Sequence, residues 1–313
     1  MGSVTSPSKP SAPEQGAVAT LAWWTSPGGL AAGARAAFQA TQQEQILATR
    51  VEKQTTLGHF RIPQIPEVAA RAVALLAQQD VDANDVSRLI HQDQQLAADV
   101  IAFSNSSLFA GTRKTTNIPD AINRVGFRRT RSLIFAASLR SVIYGGCEVA
   151  RAEELWRHSV GCASFAARIA HNVRQSADDA YLAGLFHDVG KTVVLSVLDT
   201  IALRAQQLPL RTDFVEHMLA CHHERVGAEV ARHWNLPEHV CDAIRNHTAD
   251  HDGPVSIGQA IVCLANNVCR RLNVGEQDDG RPIASKAVLA ALGAEERDLP
   301  QLLDGVRETV FPG

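Results

Sequence analysis

The stretch GLFHDVGK, at residues 184–191, decides how this sequence is interpreted. It ends an apolar run with an adjacent His187-Asp188 pair, and Gly190 and Lys191 follow directly. Neutral imidazole and carboxylate are good ligands for divalent first-row metals. Neighbouring residues of a helix do not share a face, so a site that uses both side chains requires a local kink in the helix. Gly190 can give the backbone the freedom for such a kink. One His-Asp pair does not make a metal site, so further ligands must come from elsewhere in the chain.

Further histidines recur in segments with helical periodicity. They are His158, His223 and His247, and all lie in the second half of the chain. Helices that pack together can project several ligands into one central site, as helical metal bundles do. With His158, His187 and Asp188 as ligands, a metal would keep open positions for water and phosphate. The sequence therefore places its candidate chemistry in the second half.

Composition excludes several classes of protein. A net charge of −3 over 313 residues disfavours a broad nucleic-acid-binding surface. Six scattered cysteines without a CxxC pattern favour reduced thiols over a disulfide framework. We find no uninterrupted apolar window of about 18 residues and no secretory signal. These features predict a cytoplasmic protein without membrane association.

The pattern along the chain favours an all-α fold, since Leu, Ala and Val dominate and aromatic residues are only 5%. Residues 1–29 are predicted to be a disordered leader, in which Trp23-Trp24 either packs on the domain or docks a partner. The predicted divisions after it are 30–56 (helix and linker), 57–146 and 147–272 (two helical halves) and 273–313 (C-terminal helical extension). Predicted helices of the second half include Ala152–Val173, Tyr181–Leu198, Phe214–Ala220, Glu224–Trp234, Glu238–His247 and Val255–Leu272.

An ordered series of motifs resembles the HDOD family of bacterial signalling proteins, which is related to the HD superfamily of helical metal-dependent phosphohydrolases. The matching segments are IPQIP (62–66), DQQL (93–96), NSSLF (105–109), LWRHS (155–159), GLFHDVGK (184–191), HERVGA (223–228), WNLP (234–237) and the segment that ends at His247. The resemblance covers about 57–272 and implies a multi-helix HD-like domain with two helical subdomains.

The resemblance also shows where this chain departs from active HD enzymes. Their minimal ligand set is a His, a His-Asp pair and a final Asp, and the last position falls at Asn266, whose neutral carbonyl oxygen is a poorer metal ligand. The related cyclic-di-GMP phosphodiesterases carry a His-His pair where this chain has His247-Thr248, and their Gly-Tyr-Pro signature is absent from the sequence. The implied site is a degenerate one, made of His158, His187, Asp188, Lys191, His223, His247 and Asn266.

For this degenerate site we expect no tightly bound cofactor and at most weak divalent metal at His158, His187 and Asp188. The His187-Asp188 pair could instead be a purely structural hydrogen-bonded pair, and Lys191 could pair with Asp188 or contact a phosphate. The implied function is non-catalytic signal transduction through protein partners or a ligand, for which a nucleotide is a candidate. The alternative is an HD-type metal-dependent phosphohydrolase acting on a nucleotide or cyclic dinucleotide.

Overall fold

A computed structural model describes residues 40–62, 64, 66–75, 80–105, 113–144, 149–206, 210–248, 254–275, 280 and 282–306. The described residues form helices joined by short connections, with no strand among them, which confirms the all-α prediction. The predicted leader at 1–29, with Trp23-Trp24, lies outside the described residues. The predicted helix and linker at 30–56 are described only from residue 40 onward.

The described helices follow one another closely along the chain. They are α1 (Gln42–Thr56), α2 (Glu67–Leu75), α3 (Ala83–Ile90), α4 (Gln94–Ser104), α5 (Ile118–Val125), α6 (Phe127–Tyr144), α7 (Val149–Asn172), α8 (Ala177–Phe186), α9 (Val189–Ala205), α10 (Thr212–His233), α11 (Glu238–Arg245), α12 (Ile257–Arg271), α13 (Lys286–Ala291) and α14 (Leu299–Leu302). A 3₁₀ turn at Glu296–Asp298 precedes α14. The strongest helix-start signal near the site is at α12, where Ser256 and Gln259 form a reciprocal capping box.

Helices α2 to α6 lie in the predicted first half, and the division into two halves stays a prediction. Helix α2 packs against α3 and α6, and α5 packs against α3, α4 and α6. Asp82 caps α3, and its side chain accepts from the Asn84 backbone N–H. Gly126 ends α5 at a φ of 87°, in the left-handed region that favours glycine. The start of α3 and the end of α5 are thus each determined by a local capping residue.

Helices α7 to α12 pack around the candidate site. Helix α7 contacts α8 and α12, α9 contacts α10, and α11 contacts both α10 and α12. Helix α1 packs against α9 and α10. Arg225 of α10 fixes it by donating to the backbone oxygen and hydroxyl of Thr55, at 2.6 and 2.9 Å.

The structure corrects two predicted helices. The predicted Tyr181–Leu198 helix is broken, because α8 ends at Phe186 and α9 begins at Val189. Asp188 lies at the break with φ −99° and ψ 5°. The kink predicted at the His-Asp pair is therefore the junction between two separate helices. Conversely, the predicted Phe214–Ala220 and Glu224–Trp234 helices are one continuous helix, α10, because Cys221-His222-His223 contains no helix breaker and both histidines are buried.

Within the part of the chain that the structure describes, one stretch, residues 177–205, is long and apolar enough to cross a membrane by length and composition alone. It comprises α8 and α9, and 78% of its apolar window is buried inside the fold. Tyr181, Val194 and Leu198 of this stretch are fully buried core residues. Its apolar character is therefore accounted for by packing within the domain, and the cytoplasmic location stays a prediction.

Two tryptophans on helices near the candidate site, Trp156 and Trp234, differ in their burial. Trp234 is 9% exposed and meets Phe186 edge-on, with ring centroids 5.5 Å apart. We expect Trp234→Ala to lower the free energy of unfolding by about 3 kcal/mol, because the lost ring leaves a cavity. Trp156 is only half-buried, so Trp156→Ala should cost less than half as much. Urea unfolding of both variants measures this, and equal losses would contradict the difference in packing.

Asp199 of α9 gives the fold a pH-dependent component of stability. Burial raises the pKa of this carboxyl to about 6 from 3.8, and its Oδ1 has no hydrogen-bond partner among the described residues. Between about pH 4 and pH 6, Asp199 is therefore protonated in the folded chain but ionised in the unfolded chain. The contribution of Asp199 to the free energy of unfolding falls as pH rises through this window. We expect Asp199→Asn to flatten that decline in urea-unfolding measurements across the window. Parallel pH profiles for the two proteins would contradict the assignment.

Candidate metal centre

Four buried histidines and one aspartate meet where α7, α8, α9, α10 and α11 converge. His158 comes from α7, His187 and Asp188 from the α8–α9 break, His223 from α10, and His247 from the turn that follows α11. The exposed fractions of the four histidines range from 0% to 4%. We call these five residues the histidine cluster. The structure thus brings together residues separated by almost ninety positions in sequence.

The first half of the histidine cluster is the ligand set predicted from the sequence. His158 Nε2 and His187 Nε2 lie 3.3 Å apart. From Asp188 Oδ2, His187 Nε2 is 3.2 Å away and His158 Nε2 is 3.7 Å away. These three residues could therefore hold a metal ion, as the sequence predicts.

The second half of the cluster was not predicted as a metal set. His223 Nε2 and His247 Nε2 are 3.4 Å apart and lie 3.8 and 3.6 Å from Asp188 Oδ1. Asp188 is thus placed between two imidazole pairs, with one oxygen toward each. Sequence motifs named His223 and His247 but could not show that they share the aspartate. A second three-residue group could hold a metal ion here.

Each histidine of the cluster is oriented by a backbone carbonyl. The Nδ1 atoms of His158, His187, His223 and His247 lie 3.1, 2.8, 2.7 and 2.8 Å from the oxygens of Val274, Gly184, Leu219 and Ile244. A carbonyl only accepts, so each Nδ1 carries the hydrogen. In a neutral ring, the Nε2 lone pair then faces Asp188 and the other rings. This is the orientation that metal-ligating histidines adopt.

Two contacts that support these histidines, one with Val274 and one with Glu224, were not predicted from the sequence. Val274 lies after α12 and packs beside Gly161 of α7, where an added Cβ would be 2.7 Å from its Cγ1 atom. Gly161 therefore allows the Val274 carbonyl to reach His158. Glu224 accepts the backbone N–H of Thr248 at 2.7 Å, and its Oε1 lies 3.7 Å from His247 Nδ1. Neither role has a signature in the sequence.

The two halves of the cluster differ in charge. Burial opposes ionisation of Asp188, but His187 and Lys191 outweigh it and hold its pKa well below the ordinary value. Burial likewise opposes a charged His187, but Asp188 holds the pKa of that imidazole well above its ordinary value. For His223, burial and the neighbouring His247 hold the pKa well below its ordinary value. His223 is therefore the more readily available neutral ligand.

Lys191 pairs with Asp188, as one of the two sequence interpretations expected. Its Nζ donates to Asp188 Oδ2 at 2.7 Å, on the side of the first histidine pair. The side chains of Asp188 and Lys191 are 12% and 16% exposed. Solvent therefore reaches the cluster beside this ion pair, and the ammonium competes with a metal for Oδ2 but not for Oδ1.

The separations within the cluster fit a first-row divalent metal. Tetrahedral bonds of 2.0–2.1 Å to nitrogen and oxygen place ligand atoms roughly 3.3 Å apart. Around Oδ1 the separations are 3.4 to 3.8 Å, and around Oδ2 they are 3.2 to 3.7 Å. Asp188 Oδ1 is also buried without a hydrogen-bond partner among the described residues. The residues present therefore suit a metal ion, and best on the side of His223 and His247.

Asn266 is the last predicted member of the site. It lies on α12 and is 1% exposed, and its Oδ1 has no hydrogen-bond partner among the described residues. Helix α12 packs against α7, α8 and α11, which hold or adjoin the cluster. The approach of Asn266 to the metal ligands remains a prediction. A buried amide oxygen without a donor is the kind of group that an ion or water satisfies.

Sequence comparison places the chain in a family. The sequence profile of the HDOD domain matches residues 62–250. An uncharacterized protein of Treponema pallidum (strain Nichols) is 28% identical over 193 residues, which is 59% of this chain and 37% of that protein. The chain thus spans just over one third of this relative's length. The profile match at residues 62–250 includes all five residues of the histidine cluster.

Solved structures show the same fold at low sequence identity. A candidate metal-dependent phosphohydrolase of Shewanella amazonensis SB2B has a TM-score of 0.66 at 18% identity, covering 86% of this chain and 99% of that one. An HDOD domain protein of unknown function from Geobacter sulfurreducens has a TM-score of 0.56 at 23% identity, covering 85% and 98%. A candidate signal transduction protein of Marinobacter aquaeolei VT8 has a TM-score of 0.53 at 23% identity, covering 87% and 60%. The profile match and the shared fold lead to one conclusion: this chain belongs to the HDOD family.

Proposed function

We propose that this chain is a signal-transduction protein that acts by binding, and that its histidine cluster holds an exchangeable divalent metal ion without effective hydrolysis. The observation that carries the metal assignment is the group formed by His223 Nε2, His247 Nε2 and Asp188 Oδ1. All three are acceptors when the rings are neutral, and they face one another within 3.8 Å. Such a group is electrostatically unfavourable unless a proton or a metal ion lies among its members.

Charge supports weak binding over tight binding. Asp188 supplies the only carboxylate within the histidine cluster, and Lys191 already neutralises its Oδ2. Asn266 adds no charge where active HD enzymes have an aspartate. A divalent ion is therefore incompletely compensated. The proposal accordingly keeps the expectation that no metal is tightly bound, and adds a specific site at His223, His247 and Asp188 Oδ1.

The same charge count argues against hydrolysis. A catalytic metal must lower the pKa of a bound water and also orient a substrate phosphate beside it. Asp188 is the only carboxylate of the histidine cluster itself, and the neighbouring Glu224 already accepts the backbone N–H of Thr248, on the Nδ1 side of His247. Binding of a ligand or protein partner thus remains the better-supported role, and the cluster would stabilise the binding conformation.

Metal titration tests this proposal. We expect Mn²⁺ to raise the melting temperature of metal-free wild type saturably, since binding to the folded state adds about 2.7 kcal/mol at one hundred times Kd. His247→Ala should abolish the shift. The exposed His233 provides a matched control, and His233→Ala should retain it. An unchanged melting temperature in wild type, or an equal shift in His247→Ala, would reject the proposed site.

The second candidate function is metal-dependent phosphohydrolysis. Two observations favour it: the partial exposure of Lys191 beside Asp188, which would let a phosphate reach the cluster, and the fold shared with the Shewanella protein. Turnover of a cyclic dinucleotide or of bis(p-nitrophenyl) phosphate with added Mn²⁺ tests it. Activity that disappears in Asp188→Asn would establish hydrolysis and overturn the non-catalytic proposal.

A further inference from the structure

Two buried cysteines meet where α7 packs against α12, beside the histidine cluster. Cys162 of α7 and Cys269 of α12 are both 0% exposed, and a hydrogen bond joins their thiols. Cys269 Sγ lies against Gly161, the residue before Cys162, at 3.5 Å from the place that an added Cβ would take. The Cys162 thiol also contacts the side chain of His187. The packing of two helices therefore holds the two sulfurs together.

The other described cysteines have different surroundings. Cys221 is exposed, whereas the thiols of Cys241 and Cys263 donate to backbone oxygens at 3.6 Å. A thiol that donates to a carbonyl meets no reaction partner there, however deeply it is buried. Cys162 and Cys269 are therefore a distinct pair, in which each sulfur can attack the other once that one has been oxidised.

We propose that Cys162 and Cys269 form a reversible disulfide bond when the protein meets a hydroperoxide. One sulfur attacks the terminal peroxide oxygen, the O–O bond breaks, and the alcohol or water leaves with the thiol's proton. The second sulfur then attacks the resulting sulfenic acid, the S–O bond breaks, and water leaves with the second proton. The two sulfurs together lose two electrons, which the peroxide gains. A dithiol reverses the reaction by exchange, so the resting pair is reduced, as expected for cytosolic thiols.

The turn that follows α12 gives an oxidant access to the pair. This turn carries Asn273, which is exposed, and Val274, which is 6% exposed. The Cγ1 atom of Val274 lies against Gly161, beside Cys269 Sγ, so Val274 covers the sulfur. Helix ends and turns open locally at lower free energy than helix interiors. A small hydroperoxide therefore reaches the sulfurs when the turn opens, whereas the closed fold excludes bulky thiol reagents.

A disulfide at this place acts on two helices that carry predicted site residues. Cys162 lies four residues after His158 on α7, and Cys269 lies three residues after Asn266 on α12. Residues three or four apart share a helix face. A sulfur–sulfur bond is about 2.05 Å long, shorter than the contact between two thiols, so oxidation draws α7 and α12 together. The reaction requires no bound metal, so this proposal stands or falls separately from the metal assignment.

Disulfide mapping of the wild-type chain tests the proposal. The protein is treated with hydrogen peroxide in the presence of EDTA, denatured with an alkylating reagent that blocks the remaining thiols, and digested for mass spectrometry. We expect a pair of peptides joined through Cys162 and Cys269, which dithiothreitol separates. Among oxidised chains, this link should be at least about tenfold more frequent in folded protein than in urea-unfolded protein, because the fold holds the two sulfurs together.

Cysteine variants supply the matched control, after thermal unfolding has shown that each is folded. Oxidised wild type should lose the mass of two hydrogen atoms per chain. Cys162→Ala and Cys269→Ala should not, and the remaining cysteine should stop at a sulfenic acid that dimedone traps. Cys241→Ala, which also removes a fully buried thiol, should behave like wild type. The proposal is overturned if peroxide leaves Cys162 and Cys269 free to be alkylated, or if their link forms only in urea.

Discussion

Replacement of Gly190 by alanine should be the most damaging single methyl addition in this protein. A Cβ at this position would lie 1.9 Å from the backbone oxygen of His223 and 2.6 Å from the backbone nitrogen of Gly227. Both contacts are with the backbone of α10, so no side-chain rotation relieves them. Overpacking typically costs 1–3 kcal/mol, and here we expect a loss of at least about 4 kcal/mol in the free energy of unfolding.

Gly258→Ala is the matched control for this prediction. Gly258 also lies in a helix, and its added Cβ would meet Ala243 Cβ at 3.3 Å, a contact that small shifts can relieve. Better helix propensity offsets part of that crowding, so the net change should stay within about 1 kcal/mol. Urea unfolding compares the two variants. A Gly190→Ala protein as stable as Gly258→Ala would show that α9 and α10 are not packed as closely as described.

The second large effect is expected from Asn266→Asp. If Asn266 faces the histidine cluster, a carboxylate there supplies the second negative charge that a divalent ion lacks. We expect affinity for Mn²⁺ to rise at least about tenfold, because charge compensation in a buried site is worth several kcal/mol. The metal-free variant should be less stable than wild type, since the new carboxylate is buried, and added metal should reverse that loss.

The neighbouring Asn267 provides the control for this experiment. Its Nδ2 donates to the backbone oxygen of Ile283 at 3.0 Å, so Asn267→Asp should lower stability without raising metal affinity. Metal per chain after identical dialysis, together with the melting temperature, distinguishes the two variants. Equal metal affinity in Asn266→Asp and wild type would show that Asn266 does not contribute to the metal centre.

Several features were predictable because local chemistry determines them. The all-α fold follows from composition and periodicity, and the start of α3 at Asp82 and the end of α5 at Gly126 follow from capping residues. The need for a kink at His187-Asp188 follows from helix geometry, although the sequence did not show that the helix would end there. The continuity of α10 was not predicted. Residues 221–223 were interpreted as a boundary because they are possible metal ligands, although none of them disfavours a helix.

The sequence by itself determined which residues could take part in the candidate site, because the order of its motifs identifies His158, His187, Asp188, His223 and His247. Only the tertiary structure decided how they are grouped, with each oxygen of Asp188 facing a separate histidine pair. The carbonyl of Val274 that orients His158 and the contact between Cys162 and Cys269 were likewise decided by packing. The physical reason is that side-chain identity is local, whereas these distances depend on how five helices pack against one another.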